Sequence, residues 1–112
     1  MEQNFDDIIL SSLKEIDPFK VILFGSRTTS SASTDGDLDL VVVTKSQDFP
    51  QSFSENKKHY IPVAKSLAKV NELVPIDLIV YTRPMFKKMM EQQSTFAKEL
   101  TQNGHVIYEA AE

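Results

Sequence analysis

The strongest pattern in this chain lies between residues 37 and 44, which read Asp-Leu-Asp-Leu-Val-Val-Val-Thr. Side chains of a strand alternate between two faces, so this run predicts a β-strand with Asp37 and Asp39 on one face. Their Cα atoms would lie roughly 6.5 Å apart, so both carboxylates could hold one divalent cation or a pair of them. Because Asp is disfavoured in strands and two acids on one face repel each other, this pair favours a metal site. The same alternation places Val41 and Val43 with the two acids, and Leu38, Leu40 and Val42 on the opposite face.

The rest of the chain predicts helices and strands in alternation. Apolar residues at helical spacing predict three helices: one over 3–16, one of about three turns from Tyr60 to Asn71, and one that begins at Pro84 and is closed by Asn103 and Gly104. Short apolar runs predict three further strands, over 20–24, 75–81 and 105–108. Residues 45–55 are expected to form a polar loop, while 27–36 fit either a flexible loop or a short helix starting at Ser26. We therefore expect an α/β or α+β domain, in which helices pack on a small mixed sheet.

Chain topology would bring the polar residues together. The predicted helix between the Asp37 strand and the Asp77 strand allows a parallel crossover connection. If those strands are parallel neighbours, Asp37, Asp39 and Asp77 lie at the same, N-terminal end of the sheet. If the preceding strand runs antiparallel to them, Gly25 and Ser26 emerge at that end as well.

Two further features could belong to such a site. Asp77 interrupts an apolar run, where a buried carboxylate is costly unless it is paired or bound to a metal. A helix cap or an ion pair with a lysine would also explain it. After the first strand, Gly25 would let a phosphate approach the backbone, and the Ser26 hydroxyl with nearby N–H groups could hold its oxygens. Arg27 fits either phosphate binding or an ordinary surface position.

Composition excludes several classes of protein. The net charge of −4 argues against a polynucleotide substrate, because nucleic-acid binders carry a broad basic surface. The chain has no cysteine, which excludes disulfides and fits a reducing cytosol. Neither a signal peptide nor an apolar run near the roughly 20 residues of a membrane helix is present. We therefore expect one cytoplasmic domain spanning residues 1–112, with no membrane partner.

Taken together, these motifs resemble a known superfamily. The chain resembles the DNA polymerase β-like nucleotidyltransferases in four features. These are Leu-Phe-Gly-Ser-Arg at 23–27, the ten residues between Ser26 and Asp37, Asp-Leu-Asp-Leu at 37–40, and Asp77 on a later strand. The short length resembles the minimal nucleotidyltransferases (MNT) of bacteria and archaea. The resemblance extends from about residue 5 to about residue 109.

The resemblance implies a reaction and a set of roles. Asp37 and Asp39 would bridge two Mg²⁺ ions, and Asp77 would complete the site of the ion that activates an attacking hydroxyl. Gly25 and Ser26, with the following arginine, would hold the triphosphate of ATP or another nucleoside triphosphate. The hydroxyl would attack the α-phosphorus and release pyrophosphate.

Two departures from the family pattern concern the phosphate loop. Many relatives have a glycine a few residues after the Gly-Ser-Arg, where this chain has Thr28, Thr29 and Ser30. Many also have a serine before the first catalytic acid, where this chain has Gly36. Neither departure removes an expected metal ligand.

The family also implies a partner. Larger relatives attach a second domain that binds base and acceptor, and this chain has no room for one, so a second copy or another protein would complete the site. Minimal nucleotidyltransferases often resemble the antitoxin of a toxin–antitoxin pair whose toxin is a HEPN-domain ribonuclease. The resemblance implies that such an antitoxin can attach AMP to a tyrosine of the ribonuclease. The leading hypothesis is thus an adenylyltransferase acting on a HEPN-like partner. The alternatives are transfer to a small-molecule hydroxyl such as an aminoglycoside, a non-catalytic antitoxin that acts by docking, and a plain α/β domain.

Overall fold

A mixed sheet of four strands organises the part of the chain that the computed structural model describes, residues 5–24 and 38–111. The elements are α1 (Phe5–Ser12), β1 (Lys20–Phe24), β2 (Leu38–Val43), α2 (Phe53–Ser66), α3 (Ala68–Leu73), β3 (Ile76–Tyr81), α4 (Arg83–Glu91), α5 (Thr95–Asn103) and β4 (His105–Glu109). The strand order is β3-β2-β1-β4. β2 and β3 are parallel, whereas β1 runs antiparallel to both β2 and β4. The predicted mixed sheet is therefore confirmed, and both conditions on strand direction, a parallel β2–β3 pair and an antiparallel β1, are met.

The alternation predicted for β2 is also confirmed, because each of its faces enters a different core. One core joins β2 to α1, α2 and α3, and the other joins it to α4 and α5. The first contains Leu38, Leu40 and Val42 with Ile9, Leu13, Val63, Leu67 and Val70, and the second contains Val41 and Val43 with Ile22, Phe24 and Leu100. β2 lies between two strands and between two helical layers, so it is the best-buried strand of the sheet.

The helix predicted from Tyr60 to Asn71 was wrong in its start and in its continuity. It begins at Phe53, because the Ser52 hydroxyl accepts a hydrogen bond from the Glu55 N–H at 3.2 Å. The Glu55 carboxylate in turn accepts from the backbone N–H just before Ser52, at 2.6 Å, which is close to a capping box. The helix is then interrupted at Leu67, which separates α2 from α3.

The single helix predicted from Pro84 to Asn103 was also wrong, because the structure divides it into α4 and α5. Gln93 adopts a left-handed backbone conformation with φ of 50°. Ser94 then caps α5 by accepting a hydrogen bond from the Ala97 N–H at 3.2 Å. The predicted end of α5 is confirmed, since the Gly104 N–H donates to the Leu100 carbonyl at 2.9 Å. A Cβ atom at Gly104 would collide with that carbonyl oxygen, so the close approach requires glycine.

Two smaller observations complete the fold. α1 ends at Ser12, short of the predicted residue 16, and the chain continues in turns to Asp17, whose φ is 54°. None of the helices in the described ranges is long and apolar enough to cross a lipid bilayer.

Candidate active site

Two of the predicted acids lie side by side on the sheet. Asp39 of β2 is the register partner of Asp77 of β3, and Phe24 of β1 pairs with Asp39 on the other side. Register partners on neighbouring strands point to the same face, with strand axes about 4.8 Å apart. Phe24, Asp39 and Asp77 therefore form one row across three strands, at the end where β2 and β3 begin.

The row lies on the face that carries α4 and α5, because Asp39 shares its face with Val41 and Val43. Asp39 is half-buried and Asp77 is exposed. The expectation that Asp77 would be a buried carboxylate was wrong. β3 is an edge strand, so a side chain near its start reaches water despite the apolar residues on either side.

Hydrogen bonds fix the two strand starts relative to each other. The Leu38 N–H donates to the Pro75 carbonyl at 2.8 Å, which joins the first residue of β2 to the residue before β3. The Ile76 N–H donates to Asn71 Oδ1 at 2.8 Å, which ties the same strand start to α3. The backbone on the N-terminal side of Asp77 is therefore held from two directions.

An aromatic pair supports the other end of the row. Phe24 packs against Phe96 of α5, with ring centroids 5.4 Å apart and ring planes at 74°. Edge-to-face contacts of this kind contribute about 0.5–1.5 kcal/mol beyond the area they bury. The last residue of β1 is thus anchored to the helical layer, and Asp39 has a rigid apolar neighbour.

The described carboxylates suit a hard divalent cation. Asp39 and Asp77 offer oxygen ligands from adjacent strands, and the exposure of Asp77 leaves room for water or a phosphate oxygen as further ligands. Within residues 5–24 and 38–111, no group of three or more acidic, histidine or cysteine side chains could hold a metal ion. Asp37, the third expected ligand, lies outside the described residues, as do Gly25, Ser26 and Arg27. All four belong to the stretch 25–37, which begins directly after Phe24 and ends directly before Leu38.

A concave region lies at the opposite end of the same face. It is a cleft of about 710 Å³, whose lining includes Phe19, Lys20, Arg83 and Phe86. The Arg83 guanidinium lies 4.2 Å from the centre of the Phe19 ring, and Lys20 Nζ lies 3.4 Å from Glu109 Oε2. Neither Asp39 nor Asp77 lines this cleft. The sequence patterns did not predict it, because it is assembled from residues distant in the chain.

Comparison with known families agrees with this geometry. The family model for Polymerase beta, Nucleotidyltransferase matches residues 8–112. The chain therefore belongs to this family of nucleotidyltransferases, and the resemblance carried by its sequence motifs is confirmed. A comparison with curated proteins gives no match.

Solved structures with the same fold include two toxin–antitoxin structures. One, a toxin–antitoxin with AMP-PNP, shares 16% identity at a TM-score of 0.56, over 94% of this chain and 73% of its own. The other is the toxin–antitoxin MntA-HpeT in a mutant with two Asp-to-Glu substitutions two positions apart. It shares 15% identity at a TM-score of 0.56, over 96% of this chain and 75% of its own. Both likenesses concern the fold alone, and together with the family match over residues 8–112 they confirm the polymerase β-like architecture expected from the sequence.

Proposed function

We propose that this nucleotidyltransferase is of the minimal type and transfers AMP from ATP to a hydroxyl group of a partner protein, with Mg²⁺ as its metal. The observation that carries the proposal is the in-register pair of Asp39 and Asp77, in a chain whose family match spans residues 8–112. Like charges directly opposite each other on adjacent strands are destabilising, and a bound cation would stabilise such a pair.

Asp39 and Asp77 would hold the metal together with Asp37. Bound Mg²⁺ would supply charge that lowers the pKa of the attacking hydroxyl and stabilises the leaving pyrophosphate. The protein's own contribution is position, since the hydrogen bonds of Leu38 and Ile76 hold the two strand starts in fixed relation. The carboxylate of Asp39 is half-buried and would be the more rigid ligand, whereas the carboxylate of Asp77 is exposed and would face the incoming acceptor.

The nucleotide would be bound by the segment that follows β1. In this proposal Gly25, Ser26 and Arg27 hold the triphosphate, through backbone N–H groups, a hydroxyl and a guanidinium. ATP is favoured over other nucleoside triphosphates because a structure of the same fold was solved with AMP-PNP, an ATP analogue. In the mutant structure of the same fold, glutamate replaces two aspartates that are two positions apart, which is also the spacing of Asp37 and Asp39.

The acceptor is proposed to be a HEPN-like toxin, with this chain as the antitoxin, because both structural neighbours are toxin–antitoxin structures. A partner protein or a second copy of the chain would complete the acceptor side of the site. The cytoplasm would supply the ATP that such a reaction consumes and the Mg²⁺ that it requires.

The decisive experiment incubates the purified chain with Mg²⁺, a lysate of its source cell and each nucleotide labelled at the α-phosphate. Asp39→Asn and Asp77→Asn remove one charge each at nearly constant volume, and Glu99→Gln on α5 is the matched control. We expect ATP to label one protein band. Each Asp variant should lower that labelling at least about a hundredfold, because a lost ligand withdraws several kcal/mol of charge stabilisation.

Three other outcomes would decide between the alternatives. Equal labelling by Asp39→Asn and wild type would disprove the proposed metal site. Label on a small molecule such as an aminoglycoside, with no labelled protein, would show that the acceptor is a small molecule and not a protein. Absence of both label and nucleotide binding would contradict the proposed transfer and favour a non-catalytic docking module.

A further inference from the structure

β3 forms one edge of the sheet, and its outer backbone groups follow from its ladder with β2. In a parallel ladder, alternate residues direct both N–H and C=O toward the neighbouring strand. The Leu38 N–H bonds to the Pro75 carbonyl and the Thr44 N–H bonds to the Tyr81 carbonyl, so the odd-numbered residues of β3 face β2. The even-numbered residues, Ile76, Leu78 and Val80, therefore direct their backbone groups outward.

Two asparagines cover the ends of this edge and leave its centre open. Asn71 Oδ1 accepts from the Ile76 N–H at 2.8 Å, and Asn56 Nδ2 donates to the Val80 carbonyl at 3.0 Å. Among the described residues, no partner is found for the Ile76 carbonyl, the Leu78 N–H and carbonyl, or the Val80 N–H. We call these four groups the β3 edge. They are the donors and acceptors that one more strand needs for pairing.

A recess beside the β3 edge has room for side chains of an added strand. It measures about 240 Å³ and is bordered by the small side chains Ala64 and Ala68 and by Leu78. Tyr60 at its border is 38% exposed, so an apolar surface is available there. Backbone pairing combined with a pocket for alternate side chains is how extended peptides bind to sheet edges.

The helices beside this recess are basic in a chain that is acidic overall. α2 and α3 carry four exposed lysines and two exposed glutamates, namely Lys57, Lys58, Lys65, Lys69, Glu55 and Glu72. Lys58 already has an acidic partner, since its Nζ lies 3.5 Å from Asp48 Oδ2, and the other three lysines still outnumber the two glutamates. An acidic segment would neutralise this charge. Two copies joined through their β3 edges would instead bring the two lysine-rich helix pairs toward each other, and like charges repel.

We propose that the β3 edge docks an extended, acidic segment of the acceptor protein as an additional strand. The catalytic part of this inference rests on the proposed function. A strand added to β3 extends the row of Phe24, Asp39 and Asp77 by one position, about 4.8 Å beyond Asp77. A tyrosine, serine or threonine at that position points to the same face as both carboxylates. Docking would thus present the acceptor hydroxyl to the metal site.

The opposite edge of the sheet does not offer this relationship. β4 also has exposed apolar side chains, with Val106 52% and Tyr108 37% exposed. However, β1 and β2 separate β4 from Asp77, so a strand added there would lie on the far side of the row. The β4 edge therefore serves as an internal control for edge pairing.

The test uses a short capped peptide that alternates valine and threonine around one tyrosine, with a glutamate at each end. Hydrogen exchange on the wild-type chain should show the amides of Leu78 and Val80 at least about tenfold slower with saturating peptide. The amides of β4 should be unchanged. A peptide with lysine in place of both glutamates should bind at least about tenfold more weakly, since it is repelled by α2 and α3.

A pair of variants isolates the backbone contact. Leu78→Pro removes the outward N–H but none of the hydrogen bonds to β2, which makes it a position where an edge strand accepts proline. Leu78→Ala removes a comparable side chain and keeps the N–H. We expect the proline variant to lose at least about tenfold in peptide affinity relative to the alanine variant.

Several outcomes would overturn the inference: no peptide binding, protection of the β4 amides instead, or equal affinity in the proline and alanine variants. If the proline variant does not fold, hydrogen exchange on the wild-type chain decides alone. Transfer of labelled AMP to the peptide tyrosine is measured separately. A peptide that binds and protects Leu78 but receives no label supports the docking edge and counts against the proposed transfer to protein.

Discussion

Asp39 and Asp77 are register partners on parallel strands, yet they sit in different surroundings. Asp39 is half-buried on a strand with neighbours on both sides, whereas Asp77 is exposed on a strand at the edge. The two carboxylates should therefore respond differently to substitution. Loss of charge at Asp77 tests cation binding with little effect on the fold.

The Asp77→Asn variant should keep its stability and lose its response to metal and nucleotide. We expect its free energy of unfolding to stay within about 0.5 kcal/mol of wild type, as for other exposed positions. Adding Mg²⁺ with AMP-PNP should raise the Tm of wild type and of the Glu99→Gln control, because ligand binding stabilises the folded state. Thermal denaturation checks both expectations, and a variant that keeps the Tm increase would remove Asp77 from the site.

Asn71 should act as a positioning residue through its hydrogen bond to the Ile76 N–H. Asn71→Ala should lower the free energy of unfolding by about 1 kcal/mol, since water can replace this exposed bond. The transfer rate should fall more than this loss explains, because the start of β3 carries Asp77. Asn71→Asp keeps an accepting oxygen and should restore kcat. Equal kcat in the alanine and aspartate variants would show that this bond does not position Asp77.

Gly104→Ala should destabilise the chain although the glycine backbone is ordinary, with φ of −78°. The added Cβ would collide with the Leu100 carbonyl oxygen, which the Gly104 N–H already contacts at 2.9 Å. Steric overlap of this kind typically costs about 1–3 kcal/mol. Urea denaturation beside Gln102→Ala, an exposed position on the same helix, measures the difference. An unchanged midpoint would mean that α5 shifts without cost.

Tyr81 should make stability depend on alkaline pH. Burial raises the pKa of Tyr81 above its ordinary value of 10.0. The unfolded chain then loses this proton at a lower pH than the folded chain, so stability declines as pH rises through the folded-state pKa. Tyr81→Phe should reduce that decline. Urea denaturation near neutral pH and above pH 10 compares the two proteins, and parallel curves would contradict the assignment to Tyr81.

Strands were predictable because their signal is local. The alternation over 37–44 and the apolar runs over 20–24 and 75–81 give the three strands that carry the row of Phe24, Asp39 and Asp77. The start of α2 was harder to predict from sequence, because Ser52 and Glu55 form their capping hydrogen bonds in a stretch whose composition is that of a polar loop. The break at Gln93 was hidden because apolar residues continue at helical spacing through it. Such breaks depend on a backbone conformation that periodicity does not report.

The site itself was predictable only where topology determines it. A parallel crossover implies that Asp39 and Asp77 meet at one end of the sheet, and the register confirms this. Exposure of Asp77 was not predictable, because it follows from the edge position of β3. The contacts of Asn56 and Asn71 with β3 likewise join residues from separate elements.

The unequal burial of β2 and β3 has a consequence for heating. β2 has both faces in apolar cores, so releasing Asp39 requires the whole domain to open. Only the start of β3 needs to detach to remove Asp77, and subglobal opening of an edge costs less than complete unfolding. Heat inactivation should therefore precede melting, and cooling before the melting range should restore the enzyme completely.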